Sequence, residues 1–410
     1  MQEVGCFMNM RIHQLIGFDE RNLFSIFSYK FFDFWGKEKK KTSTRYEKDK
    51  HCDDIMEDVH HMIKEIKEIP MAIHSTATEV EKCLMMLPKQ QLKKIKHIVI
   101  AGCGTAYHAG LTAKTVIEKF TQIPVTNEIA SELTCCNPLV GQNALVILVS
   151  QSGETADTIS ALDIAKKKGA LTVAVVNNAI SPLALGADFK IITHAKKECA
   201  IASTKAYNSQ LIALYSFALY FAKILKSLPT DKIDALKEMI LDLPATAREV
   251  IEEGIERIDD KIISLFKDEK TIMFLGRGID YATAREASLK LKEVTYIHCE
   301  SYPAGELKHG SLALIEKDYL VVAYLTDSSL KEKMINALNG VKARGAKVFA
   351  ITNQTLPKNA YDYIYEVPKL GILSPITSII PMQIISYLTS VVKGINPDKP
   401  RNLTKAVTVV

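Results

Sequence analysis

The stretch that decides the fold is HIVIAGCGTAYHAG, residues His97–Gly110, in which an apolar strand, a G-x-G turn and the start of a helix follow one another. The same pattern returns about 174 positions later as TIMFLGRGIDYATA, residues Thr271–Ala284. A second pair of segments, 144–178 and 319–353, repeats the order strand, helix, strand at nearly the same offset. One αβ unit therefore occurs twice in the chain.

Strands that are apolar along their whole length and alternate with helices are typical of a parallel sheet covered on both faces. The connections between such strands are right-handed crossovers. We therefore predict an α/β fold with two tandem doubly wound domains, at 56–235 and 236–395. A poorly defined extension or linker at 1–55 precedes them, and a C-terminal tail at 396–410 follows.

Length and composition agree with this prediction and exclude several classes of protein. The chain has 410 residues, 47% hydrophobic and 24% charged, which is ordinary for a soluble globular protein and unlike a collagen, a coiled coil or a disordered chain. The net charge of +5 is small for this length and gives no reason to expect a nucleic-acid partner. The eight cysteines contain no C-x-x-C pair, so we predict reduced thiols in a cytoplasmic protein, without disulfides or a structural zinc site.

Two apolar stretches raise the question of a membrane segment. The phenylalanine-rich start, Met1–Gly36, is interrupted by charges and has no cleavage site, so we do not predict a signal peptide. The stretch Gly371–Val392 has no charged residue and is long enough to cross a bilayer, but Pro375 and Pro381 interrupt it. We predict a buried core helix there and no membrane partner.

SQSGET, Ser150–Thr155, is the strongest local motif. It comes directly after an apolar strand and before a helix, so its hydroxyl groups and the flexible backbone at Gly153 can surround an anion such as a phosphate monoester. An ordinary helix cap is the alternative, because serine and threonine are favoured there. The matching segment of the second half, TDSSLK at Thr326–Lys331, lacks the glycine, so we expect a phosphate site only in the first half. The G-x-G turns lack the third glycine of the dinucleotide fingerprint, which disfavours a dinucleotide cofactor.

Five motifs match one known family, in the family's order. They are SQSGET, ASTKAY (Ala202–Tyr207), ASLKLKEVTYIH (Ala287–His298), GELKHG (Gly305–Gly310) and PRNLTKAVTVV (Pro400–Val410). Over roughly residues 58–410 the chain resembles the sugar-isomerase (SIS) half of the glutamine–fructose-6-phosphate aminotransferases. The resemblance implies two flavodoxin-like domains, a sugar-phosphate substrate, and no metal or nucleotide cofactor. It also implies a homodimer whose active site takes residues from both subunits.

The resemblance nominates residues that bind the sugar phosphate. For the phosphate and hydroxyl groups these are Thr105, Ser150, Gln151, Ser152 and Thr155. Three further residues are implied to line the sugar: Cys103, Ile201 and Ser203.

The implied reaction turns a 2-ketose phosphate and ammonia into a 2-amino aldose. It requires ring opening, an imine at C2 and transfer of a proton between C1 and C2. Glu293 lies three positions after Lys290, so the two side chains share one face of a helix. By the resemblance Glu293 is the base, Lys290 stabilises charge on the sugar oxygen, and His309 passes a proton during ring opening. A solvated Lys–Glu pair and an ordinary loop histidine are the alternatives.

Lys405 matches the lysine that forms a Schiff base with the open ketose. That role needs a neutral amine, and we expect Arg401 to supply part of the positive charge that keeps the amine neutral. The apolar tail around Lys405 suits a lid that closes over the sugar. A solvated C-terminal lysine is the alternative.

The chain departs from the family pattern at its start. Family members carry a glutaminase domain with an N-terminal cysteine nucleophile, whereas only about fifty residues precede the isomerase half here. We therefore expect no glutaminase activity in this chain, and ammonia that is free or delivered by a separate glutaminase subunit. Ala106, Ser311 and Val410 also differ from the usual residues of the family and leave the nominated catalytic set intact.

The sequence thus favours an aminating isomerase that interconverts fructose 6-phosphate and glucosamine 6-phosphate. Three alternatives stay open: a glucosamine-6-phosphate deaminase, an aldose–ketose phosphate isomerase, and a protein that binds a sugar phosphate without turnover. The presence of Lys290, Glu293, His309 and Lys405 together weighs against the last of these.

Overall fold

The computed structural model of the protein describes residues 59–136, 138–405 and 407–408. The predicted extension or linker at 1–55 therefore lies outside the described residues. The elements of the first half, in chain order, are α1 (His61–Lys67), α2 (Ile69–Met85), α3 (Lys89–Leu92), β1 (His97–Gly102), α4 (Thr105–Thr121), β2 (Val125–Ile129), α5 (Ala130–Cys135), β3 (Ala144–Ser150), α6 (Ala156–Lys167), β4 (Leu171–Val176), α7 (Pro182–Gly186), β5 (Phe189–Ile192) and α8 (Lys205–Leu225).

The second half repeats this arrangement. Its elements are α9 (Thr230–Arg257), α10 (Asp260–Ser264), β6 (Thr271–Gly276), α11 (Ile279–Thr295), β7 (His298–Pro303), β8 (Leu320–Leu325), α12 (Lys331–Lys342), β9 (Lys347–Thr352), β10 (Tyr363–Glu366), α13 (Ser374–Ser378) and α14 (Ile380–Val392), with short 3₁₀ turns between several of them. The predicted boundary between residues 235 and 236 falls inside α9, and the domain limits stay predictions.

Each half contains one parallel sheet of five strands. The strand order of the first sheet is β2-β1-β3-β4-β5. The second sheet has the order β7-β6-β8-β9-β10, in which equivalent strands take the same places. In register, Val99 of β1 lies opposite Val146 of β3, and Met273 of β6 opposite Val321 of β8. This is the strand order of doubly wound, flavodoxin-like folds. The predicted fold class, two tandem α/β domains of this type, is confirmed.

The central strands β3 and β8 are buried along their whole length, as their continuous apolar sequences predict. Helices α4 and α11, which follow the two G-x-G turns, start at equivalent positions of the repeat and pack against each other. The largest hydrophobic cluster takes side chains from both sheets and from α14, so the two halves share one core. The paired helices α4 and α11 bring residues of the second half to the sheet edge of the first.

The stretch Gly371–Val392 is long and apolar enough to cross a membrane, but 89% of its most apolar window is buried inside the fold. It forms α13 and α14, which are covered by α8, α9 and α11. This agrees with the predicted core helix, because a helix packed on all sides needs apolar residues around its whole circumference.

Candidate active site

A cavity of about 270 Å³ opens at the carboxyl ends of β1 and β3, where parallel sheets commonly bind ligands. All of the predicted binding residues line it, and the C-terminal tail covers it. Those residues are Cys103, Thr105, Ser150, Gln151, Ser152, Thr155, Ile201 and Ser203, and Glu293 and Lys405 join them.

The phosphate loop connects β3 to α6. Ser150 Oγ lies 3.1 Å from Thr155 Oγ1 and accepts a hydrogen bond of 3.0 Å from the Gly153 amide. Ser152 Oγ accepts a bond of 3.1 Å from the Glu154 amide. Thr155 occupies the N-cap position of α6, yet its side chain makes no cap hydrogen bond. The hydroxyl groups of Ser150 and Ser152 thus accept hydrogen bonds from amides within the turn, and the loop lies at a helix N-terminus, where anions commonly bind.

Gly153 is the residue on which the loop geometry depends. Its φ is +69°, and a Cβ atom there would lie 2.0 Å from Ser181 Oγ. We expect Gly153→Ala to destabilise the protein by about 1–3 kcal/mol and to weaken inorganic phosphate binding. Chemical unfolding and calorimetry measure the two effects. Gly141→Ala is the matched control, since the nearest atom to its new Cβ would be 3.9 Å away; equal losses in both variants would contradict the assignment.

In the second half, an aspartate side chain fills the place that corresponds to the phosphate loop of the first half. Asp280, at the start of α11, accepts hydrogen bonds from the amides of Thr326 at 2.7 Å and Asp327 at 3.1 Å, and from the Thr326 hydroxyl. The residue at the same position of the first motif is Ala106, which lines the cavity. The expectation that the second half has no phosphate site at TDSSLK agrees with this contact, because the Asp280 carboxyl group already accepts hydrogen bonds from these amides.

A buried ionic network lies beneath the cavity, between α4 and α11. Lys290 Nζ is 2.7 Å from Glu293 Oε2, 3.5 Å from Glu286 Oε1 and 3.0 Å from Thr105 Oγ1. Glu286 also accepts a bond of 3.0 Å from Thr105 Oγ1, and its other oxygen lies 2.8 Å from His108 Nδ1. Burial alone would lower the pKa of Lys290, but the Glu286 and Glu293 carboxylates outweigh it and hold that pKa above its ordinary value.

Lys290 and Glu293 therefore have different positions relative to the ligand. Glu293 lines the cavity, whereas the Lys290 side chain is fully buried behind it and is absent from the cavity lining. The predicted Lys–Glu pair on one helix face is present, with Lys290 fully buried and Glu293 partly exposed at the cavity. Lys290 fixes the Glu293 carboxylate from below.

Lys405 is held by the first half. Its Nζ lies 2.5 Å from Glu198 Oε2 and donates a hydrogen bond of 2.8 Å to the Ala200 carbonyl. Arg401 does not supply positive charge as expected, because its guanidinium lies over the Tyr296 ring, 4.2 Å from the ring centroid. The charged group in contact with Lys405 is therefore the Glu198 carboxylate and not Arg401.

The tail carrying Lys405 crosses the cavity. The Val407 carbonyl accepts a hydrogen bond of 3.1 Å from the Ala156 amide at the start of α6, beside the phosphate loop. Leu403, Thr404 and Lys405 also line the cavity. This position is consistent with the predicted lid.

His309, like Lys290, is a nominated residue that does not line the cavity. It ends a 3₁₀ turn, Leu307–His309, and is exposed to solvent. It is absent from the residues that line the cavity in the described part of the chain.

Several residues of the site escaped sequence reasoning. The helical spacing of Glu286, Lys290 and Glu293, four and then three positions, could have nominated Glu286. His108 and Glu198 had no such signal, because each contacts a residue far away in the sequence, Glu286 and Lys405 respectively. Gln210 of α8 also lines the cavity, and its Oε1 atom is buried without a hydrogen-bond partner among the described residues. Its amide is available to a ligand hydroxyl.

One group of three side chains within the described ranges has the donor types and spacing of a metal site. The ligand atoms of His61, Glu65 and Cys199 lie within 4.8 Å of one another. The Glu65 carboxylate already accepts hydrogen bonds from the backbone amides of Cys199 and Ala200, and none of the three residues lines the cavity. Glu65 therefore holds the loop that contains Cys199 and Ala200 in place.

The sequence matches the SIS domain family twice, over residues 91–220 and 265–393, which are the two sheet-containing halves. The chain belongs to the SIS family. This SIS protein is 36% identical to the solved C-terminal domain of glucosamine-fructose-6-phosphate aminotransferase from Francisella tularensis, with a TM-score of 0.78 over 83% of this chain and 98% of that one.

Curated relatives of this SIS protein are longer. It is 44% identical to glutamine–fructose-6-phosphate aminotransferase (isomerizing) of Clostridium tetani over 85% of its own length and 59% of the relative's. The chain thus spans about three fifths of that relative, the part that holds the SIS domains. The solved glucosamine-6-phosphate deaminase of Thermotoga maritima, at 23% identity and a TM-score of 0.62 over 85% of this chain and 99% of that one, shares the fold.

Proposed function

We propose that this SIS protein catalyses the interconversion of fructose 6-phosphate plus ammonia with glucosamine 6-phosphate. One observation carries the proposal: a single cavity holds a hydroxyl-rich anion loop together with an amine, Lys405, and a carboxylate, Glu293. The names of the similar proteins support the choice of sugar. We further propose a cytoplasmic enzyme.

The phosphate loop binds the phosphate group of the substrate. It thereby sets how far the sugar carbons extend towards the other side of the cavity. Ser150, Ser152 and Thr155 donate their hydroxyl hydrogens to the phosphate oxygens, and the dipole of α6 favours an anion at its start. Gln151, Cys103, Ile201 and Ser203 surround the sugar carbons. With the phosphate held, C1 and C2 are directed towards Lys405 and Glu293.

The chemistry then proceeds on the open chain. The Lys405 amine attacks the C2 carbonyl and forms an imine, and ammonia displaces the lysine from C2. Glu293 removes a proton from C1 and delivers it to C2, while the O1 hydroxyl proton moves to the imine nitrogen, which turns the 2-imine into a 2-amino aldose. Lys290, held between Glu286 and Glu293, keeps the Glu293 carboxylate in place and acts on the sugar through it.

The decisive experiment is incubation of the purified chain with fructose 6-phosphate and ammonium, and separately with glucosamine 6-phosphate, followed by measurement of both sugars. We expect glucosamine 6-phosphate in the first reaction and fructose 6-phosphate in the second. Turnover only in the second would favour the deaminase. Formation of an aldose without nitrogen would favour the plain isomerase. Tight binding of both sugars without turnover would contradict the proposal.

The nitrogen donor is a separate question. We propose that this chain uses free ammonium, or ammonia from a separate glutaminase subunit, and that glutamine alone does not replace ammonium. Product formed from glutamine by the purified chain would contradict this.

We also propose that His309 reaches the cavity of a second copy in a homodimer and assists ring opening there. It is exposed and absent from the lining of its own cavity, while the family resemblance implies a site shared between subunits. His309→Ala and Glu293→Gln should each be inactive alone. Mixed and refolded together, they should regain about a quarter of the wild-type rate, because half of the dimers are mixed and each mixed dimer has one complete site. If the mixture recovers no activity, His309 does not complete the cavity of the partner subunit.

A further inference from the structure

The Lys405 amine contacts a carboxylate, Glu198, that has no role in the reaction steps described above. Glu198 lies on the loop before α8, and its side chain is completely buried. Its Oε2 atom is 2.5 Å from Lys405 Nζ, although the two residues are 207 positions apart in the chain. Contact with the reacting nitrogen is therefore direct.

The Glu198 carboxylate is held in a fixed orientation. Ser203 Oγ donates a hydrogen bond of 2.5 Å to Oε2, and the amides of Thr204 and Ala206 donate bonds of 2.9 and 3.1 Å to Oε1. Burial alone would raise the pKa of Glu198, but the Lys405 ammonium and these hydrogen bonds hold it below its usual value. A buried carboxylate of this kind is tolerated only with a cation and several donors beside it.

The loop itself is fixed from α1. Glu65 accepts hydrogen bonds from the backbone amides of Cys199 and Ala200, and the Ala200 carbonyl is the second acceptor for Lys405. Lys205 is tied to Glu68 at 2.5 Å and to the Lys197 carbonyl at 2.6 Å, so it is directed away from Glu198. Lys405 is the cation in direct contact with Glu198 among the described residues.

We infer that Glu198 is a catalytic residue that accepts a proton from the Lys405 ammonium and returns it when the imine forms. The inference rests on the proposed function, in which Lys405 is the nucleophile. It adds an acid–base group that the sequence did not nominate and that contacts Lys405 from behind the cavity lining.

The step balances without any other reactant. Glu198 takes one proton from the ammonium, and the neutral amine forms a bond to C2 while the carbonyl π electrons move to oxygen. The nitrogen passes one proton to that oxygen, which gives a neutral carbinolamine. Glu198 then donates its proton to the hydroxyl group, the C–O bond breaks, and water leaves. The product is an iminium cation that faces the Glu198 carboxylate, so the ion pair seen in the free protein is restored.

Trapping of the imine tests the inference. The full chain is incubated with fructose 6-phosphate and cyanoborohydride without ammonium, and the adduct at Lys405 is quantified by peptide mass spectrometry over time. We expect Glu198→Gln to slow adduct formation by about 100-fold or more, as for loss of an acid–base group. Affinity for glucitol 6-phosphate, which cannot form an imine, should change by less than about threefold, because the phosphate loop is untouched.

Two further variants keep the result interpretable. Asp280→Asn removes another buried carboxylate that accepts backbone amides, but outside this cavity, and should form the adduct at the wild-type rate. Glu198→Asp keeps the charge and shortens the reach, and should be at least about tenfold slower than wild type; it replaces Glu198→Gln if that variant does not fold.

The outcomes distinguish the role of Glu198 from the proposed function. A Lys405 adduct in the wild type that forms equally fast in Glu198→Gln, or in Glu198→Asp, overturns the role of Glu198 and leaves the proposed function standing. Absence of any Lys405 adduct in the wild type overturns the proposed imine chemistry and the role of Glu198 with it. A slow adduct in the Glu198 variants with normal glucitol 6-phosphate affinity supports the inference.

Discussion

We expect Lys405→Ala to lower the rate of glucosamine 6-phosphate formation from fructose 6-phosphate and ammonium by at least about 1,000-fold. Without the amine there is no imine at C2, and the other side chains that line the described part of the cavity include no second amine. The rate is measured by product formation at saturating ammonium. A loss smaller than tenfold would remove Lys405 from the mechanism.

Loss of the charge and loss of the nucleophile must be told apart, because Lys405→Ala also leaves Glu198 buried without its cation. Lys405→Arg keeps a positive charge beside Glu198, but the guanidinium stays protonated and does not form the imine. We expect it to be as inactive as Lys405→Ala. Lys399→Ala, an exposed lysine of the same tail, is the matched control and should retain the wild-type rate.

We expect the second large effect from Ala106→Asp. This substitution gives the first half the aspartate that the second half carries at the equivalent position, Asp280. At the equivalent position Asp280 takes the amides that end β8, and an aspartate at 106 would reach those that end β3. It would occupy the phosphate site and repel the phosphate dianion, since like charges in contact cost several kcal/mol. We expect affinity for fructose 6-phosphate to fall by about 100-fold or more, as measured by calorimetry.

Ala106→Asn separates charge from size. It has nearly the same shape as the aspartate without the negative charge, so its loss of affinity should be much smaller. Equal losses would mean that steric exclusion, and not an internal anion, closes the site. Unchanged affinity in Ala106→Asp would show that the two halves are not equivalent at this position.

Sequence reasoning located the groups that lie in continuous motifs. The repeated strand, G-x-G turn and helix start gave both sheets, and SQSGET gave the loop after β3, because residues at the end of a parallel strand share one sheet edge. Glu293 and Lys405 came from the family resemblance, and both line the cavity.

The pairings between distant segments were beyond such reasoning. Glu198 and Lys405 meet across 207 positions, and His108 and Glu286 across 178. Nothing in the local sequence indicates either contact, and Arg401 was placed beside Lys405 only because it is near in the chain. Its stacking on Tyr296 depends on where the tail crosses α11, which tertiary packing decides.

The Asp280 contact has a thermodynamic consequence. In the second half the Asp280 carboxyl group accepts hydrogen bonds from the Thr326 and Asp327 amides as soon as the chain folds, so that interaction is part of the free energy of unfolding at all times. The first half acquires an anion only when a ligand binds, and its stability therefore rises with ligand concentration according to mass action. Hydrogen exchange should show slow, ligand-independent opening around Thr326 and faster opening around Ser150 that slows as sugar phosphate is added.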